Sequence, residues 1–115
     1  MKAPQVELAF TPRNAELARL RLKRSTVRRS RHGEVGSDFL VGQERFRIMA
    51  IVKTELYRAA DDFFFLEGET SPVAFLANFA SCYGIPIEQL NVYQTVYVHV
   101  FLPVLPTHEQ FGVTS

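Results

Sequence analysis

The sequence predicts an α+β fold, a small β-barrel of about five strands with two or three flanking helices, and three observations carry that reading. Residues 92–102 alternate, placing Val92, Val96, Val98, Val100 and Leu102 on one side and Tyr93, Thr95, Tyr97, His99 and Phe101 on the other, as a strand does. Residues 39–41 and 45–52 flank Gly42, which reads as a hairpin turn, and the second arm sets Phe46, Ile48, Ala50 and Val52 against Arg45, Arg47, Met49, Ile51 and Lys53. Ser71-Pro72 opens an apolar helix that runs to about Tyr83 and stops at Gly84, with the serine as cap and proline at the first helical position.

The remaining elements follow in order. Residues 6–10 form an apolar run stopped by Thr11-Pro12 and read as the first strand. Residues 15–22, with Leu17, Ala18 and Leu20 near helical spacing and Asn14 as cap, read as a short amphipathic helix. It delivers the chain to a basic stretch, residues 21–34, in which Thr26 and Val27 favour a strand. Val27 is the expected core anchor there, with Thr26 and Arg28 facing a cleft. A loop with Gly33 and Gly36 leads to the hairpin, and residues 56–60 read as one turn of helix. Closure into a barrel would remove the edges of an open sheet.

At 115 residues the chain suits one domain, taken as residues 1–103, followed by a tail over residues 104–115. Apolar runs fall far short of the roughly 20 residues of a spanning helix, so no membrane is expected as a partner. The start of the chain lacks the apolar core of a secretory signal and the single Cys82 cannot form an internal disulfide, which makes the cytoplasm the default location. Cys82, following apolar helix residues, is expected to be buried. His32, His99 and His108 lie far apart with no metal-ligand spacing, so neither a metal nor another cofactor is expected.

A net charge of +1 hides an asymmetry: residues 1–53 carry 12 Lys and Arg against 5 Asp and Glu, and residues 54–115 carry 1 against 7. A basic patch on a nearly neutral chain points to a local anionic partner such as phosphate, unless the two halves neutralise one another across the fold.

The spacing Lys23-x-x-Thr26-x-Arg28, the turn from Gly33 to Gly36, the alternating strand at residues 46–52, and Leu66-Glu67-Gly68 followed by a helix and a long final strand resemble the ASCH domains, a branch of the PUA-like barrels. The resemblance spans about residues 5–103 and implies a PUA-like barrel. That family includes RNA-binding modules, a ribonuclease and small amidohydrolases that deacetylate N4-acetylcytidine with a lysine, a threonine and a glutamate. Carried onto this sequence, the catalytic set is Lys23, Thr26 and Glu67, with Arg28 as a phosphate or substrate clamp and Arg21, Arg24, Arg29 and Arg31 as further RNA-binding cations. The sequence departs from the family in two places: Arg21 stands where the family has glycine, and Phe63-Phe64-Phe65 precedes Glu67.

The first expectation is therefore a cleft that binds RNA, a nucleotide or a modified nucleoside. The alternative is an enzyme, an amidohydrolase or ribonuclease acting through Lys23, Thr26 and Glu67. A third class, a protein-interaction domain, would use the three phenylalanines as an exposed patch. Each site residue also has a plainer role open to it: Thr26 as a strand former, Lys23 as a solvated charge, Glu67 as a helix-initiating carboxylate, and Arg28 in a salt bridge to the acidic half.

Overall fold

The computed structural model describes residues 3–105, so His108 and most of the expected tail lie outside the described residues. Three helices, α1 (Pro12–Arg19), α2 (Leu56–Phe63) and α3 (Pro72–Cys82), accompany four strands, β1 (Ser25–Arg28), β2 (Asp38–Val41), β3 (Glu44–Glu55) and β4 (Thr95–Pro103). The strands form one curled antiparallel sheet in the order β1-β4-β3-β2, an α+β half-barrel. No helix among the described residues is long and apolar enough to cross a membrane.

The capped helix and the hairpin form where local chemistry places them. Ser71 Oγ accepts the Ala74 amide at 3.0 Å, Pro72 opens α3, and the helix ends before Gly84 at φ +66°. Val41 pairs with Glu44 across a two-residue turn in which Gly42 takes φ +62°. Helix α1 begins earlier than expected, because Thr11 rather than Asn14 is its cap: the Asn14 amide donates to Thr11 Oγ1 at 3.2 Å.

The expected first strand is absent. Residues 6–10 make one backbone bond to the sheet, from Val6 N to Asp38 O at 2.9 Å, and otherwise use their apolar side chains for packing. Leu8 is buried, and Phe10 stacks on Phe39 and meets Phe101 edge-on. The sheet therefore has four strands among the described residues rather than about five.

The alternation expected along β3 holds only to Ile48. Ile48 pairs with Phe101 while Ala50 pairs with Val100, so Met49 is the extra residue of a bulge. Since paired residues share a face, Phe46 and Ile48 side with Phe101, whereas Ala50 and Val52 side with Val100 and Val98. The bulge bends the sheet and gives it a core on each face. Phe39, Phe46, Ile48 and Phe101 pack with Leu8 and Ala18 on one. Val27, Val96 and Val98 pack with Leu56, Phe75 and Phe79 on the other. Phe63 and Phe64 join the second core and Phe65 is exposed. Val27 is the core anchor, as expected, and β1 is an edge strand.

Candidate functional site

A cleft of about 360 Å³ opens along β1, between the chain around residues 9–14 and helix α3. Lys23, Thr26, Arg28 and Glu67 all line it, so the structure brings together the three expected catalytic residues and the expected clamp. Phe10, Phe75, Phe79 and Tyr83 supply most of its apolar wall.

Backbone contacts bring Glu67 to Lys23. The Leu22 and Lys23 amides both donate to Leu17 O, turning the chain out of α1, and the Arg24 and Ser25 amides both donate to Leu66 O. Leu66 thus clamps the entry to β1, and the next residue, Glu67, is laid beside Lys23. Gly68 at φ +81° lets this segment approach: a Cβ there would meet Leu22 O at 3.2 Å and Leu17 Cδ1 at 3.3 Å. Gly68→Ala is expected to destabilise the fold by about 1–2 kcal/mol, from left-handed strain and the tight approach together. Urea denaturation measures this; an unchanged midpoint would show that the turn relaxes freely.

Lys23 Nζ donates to Glu67 Oε1 at 2.9 Å, and Ser25 Oγ donates to Glu67 Oε2. Lys23 and Glu67 are 3% and 4% exposed, which makes this a buried ion pair rather than a surface one. Lys23 precedes the strand, which is why it and Thr26 reach one cleft despite their odd spacing. Thr26 is buried, and its Oγ1 accepts from Arg28 Nε at 3.0 Å. Arg28 also donates to Ala9 O at 2.7 Å, and its guanidinium lies 5.4 Å from the centre of the Phe10 ring. It has no carboxylate within salt-bridge distance among the described residues, so the plain salt-bridge role does not apply. Burial lowers its pKa from the usual arginine value, opposed by Tyr83 and Glu67.

The other cations are dispersed. Arg21 pairs with Glu44 on the hairpin, outside the cleft. Arg29 sits 4.1 Å from the centre of the Tyr83 ring, at the rim. Arg24 is exposed, and Arg31 is exposed with its Nε donating to Gly33 O. Part of the charge asymmetry is neutralised across the fold by Lys23–Glu67 and by Arg13, which grips Glu69 through two bonds of 2.8 and 3.2 Å.

Sequence reading missed Ser25 as a Glu67 partner, Phe10 as a wall, and Asn14 as a cleft residue. It placed Cys82 in the core, but Cys82 is exposed at the cleft. Cys82 is the last residue of α3, and the buried residues of that helix are Phe75, Phe79 and Ala80. Among the described residues no group of three His, Cys, Asp or Glu is placed to hold a metal ion.

His99 supports the site from β4, where it pairs with Thr26. Its Nε2 accepts the His32 amide at 3.0 Å, so Nδ1 carries the proton and donates to Thr26 O at 3.2 Å. Burial, and then His32 and Arg28, lower its pKa, while the Thr26 carbonyl opposes them. His32 is lowered as well, by burial and then by Arg28. A histidine lowered in the folded state stabilises the fold above its unfolded pKa of about 6.5 and loses that contribution as pH falls towards the folded value. Stability is expected to fall as pH drops through the unfolded histidine value of about 6.5, at up to about 1.4 kcal/mol per pH unit for His99 alone, and His99→Gln should flatten the profile. A slope identical in the variant would remove His99 as its source.

No family model matches the chain, and no curated protein or solved structure does.

Proposed function

We propose that the chain binds one modified nucleoside in the β1 cleft and hydrolyses its N-acyl amide, with N4-acetylcytidine as the type of substrate that the ASCH resemblance implies. The observation that carries this reading is the buried Lys23–Glu67 pair in the cleft that Thr26 also lines. Taking two charges out of water costs several kcal/mol per ion, and apolar replacements of such pairs are often as stable or more so. A pair this deep is therefore poorly explained by stability and well explained by chemistry at the cleft. The volume of about 360 Å³ suits a single nucleoside better than a strand of RNA. Arg21 adds to the resemblance: it takes φ +66°, the conformation that glycine, the family's residue at that position, adopts most readily.

In this mechanism Lys23 passes a proton to Glu67 and the neutral amine takes the Thr26 proton. The Thr26 oxygen, steadied by Arg28 Nε, attacks the acyl carbon. The C–N bond breaks, the amine leaves with the proton held by Lys23, and the acyl group stays on Thr26. Water, deprotonated by the same lysine, attacks the acyl carbon, and the Thr26 oxygen leaves with the proton handed back by Lys23. The acid departs, and Glu67 returns its proton to the Lys23 amine to restore the resting pair.

A second reading, recognition of a nucleotide within RNA, draws on Arg29 stacked on Tyr83 at the rim. Binding measured between about 50 and 200 mM salt separates the two, because phosphate contacts give a steep salt dependence. N4-acetylcytidine is expected to bind with almost no salt dependence and more tightly than a short single-stranded RNA. Tighter, salt-sensitive binding of the RNA that is lost in Arg29→Ala would favour the reader instead.

A further inference from the structure

Asn14 lines the cleft on α1, is 8% exposed, and carries the one buried side-chain polar atom without a hydrogen-bond partner among the described residues, its Oδ1. Buried polar groups are nearly always paired, so an orphan on a residue that lines a ligand-sized cleft points to a partner that the ligand brings. The carboxamide does not cap α1: the cap is Thr11, bonded to the Asn14 backbone amide, and among the described residues the hydrogen-bond partner of Asn14 Nδ2 is Cys82 Sγ at 3.9 Å.

We infer that Asn14 selects the ligand by accepting a hydrogen bond from an N–H on its base. This rests on the nucleoside reading above and extends it to the recognition of the substrate. The vacant atom is an acceptor, so it calls for a donor on the ligand rather than for the oxygens of a phosphate or carboxylate. Phe75, Phe79 and Tyr83 line the same cleft, and such walls suit a flat base better than a sugar. An N4-acylated cytosine has a single N–H on its base, at the nitrogen whose acyl bond is cleaved. Holding that N–H fixes the plane of the amide, and with it the approach of the acyl carbon to Thr26.

The test replaces Asn14 with leucine, close in size and free of polar atoms. Three measurements are made beside the wild type: calorimetric binding of N4-acetylcytidine, its turnover, and the thermal midpoint. The expected result is binding and kcat/KM weakened about tenfold or more, as for a ligand donor left unpaired, with a midpoint unchanged or higher because a buried orphan is gone. N4-Acetyl-N4-methylcytidine, which lacks the N–H, should bind wild type and variant alike. Equal binding of N4-acetylcytidine to both proteins, or a midpoint lowered by several degrees in the variant, would overturn the role of Asn14 and leave the nucleoside reading standing. Failure of the wild type to bind N4-acetylcytidine would overturn both.

Discussion

Lys23→Ala is expected to abolish amide hydrolysis and to lower the unfolding free energy by about 3–5 kcal/mol, the cost of leaving a buried charge without its partner. Glu67 is 4% exposed, and without Lys23 the neutral Ser25 hydroxyl alone, among the described residues, would bond its carboxylate. The two effects separate in a double variant. Lys23→Met with Glu67→Gln removes both charges, so most of the stability should return while hydrolysis stays absent. Urea denaturation at constant pH measures the first quantity and acetate release the second. A loss below about 1 kcal/mol in Lys23→Ala would mean that water or a neighbouring side chain reaches Glu67.

Thr26→Val is expected to lower turnover by about 10³-fold or more while leaving the fold intact, since it removes the proposed nucleophile and keeps the β-branched shape. Its structural cost should be about 1 kcal/mol, because Arg28 Nε loses an acceptor. Thr26→Ser retains the hydroxyl and should retain measurable turnover. Far-ultraviolet circular dichroism confirms the fold of each variant, and steady-state kinetics gives the rates. Turnover in the valine variant within tenfold of wild type would place the nucleophile elsewhere, with water as the obvious candidate.

What the sequence made legible was written in short-range chemistry. The serine cap and proline of α3, the glycine turn between β2 and β3, and the alternation of β4 each depend on residues a few positions apart. The missing strand at residues 6–10 shows the limit: an apolar run reads alike whether its backbone pairs or its side chains pack, and here Leu8 and Phe10 pack. The bulge at Met49 left no mark because neither Gly nor Pro announces it. At the site, Lys23, Thr26, Arg28 and Glu67 were named from spacing and resemblance, and all four line one cleft. The Leu66 carbonyl that sets Glu67 against Lys23 is a backbone group with no signature in the sequence. Asn14 was hidden by ambiguity of another kind. An asparagine before a helical pattern reads as a cap, and only the folded chain shows that Thr11 takes that role and that Asn14 lines the cleft.

The most direct measurement of the central claim is acetate release from N4-acetylcytidine by the purified protein, with Thr26→Val and Glu67→Gln assayed at equal concentration. Expected are multiple turnovers by the wild type, loss of about 10³-fold or more in Thr26→Val, and a deep loss in Glu67→Gln, which cannot take the lysine proton. No release by the wild type, or release that persists in both variants, would contradict that claim.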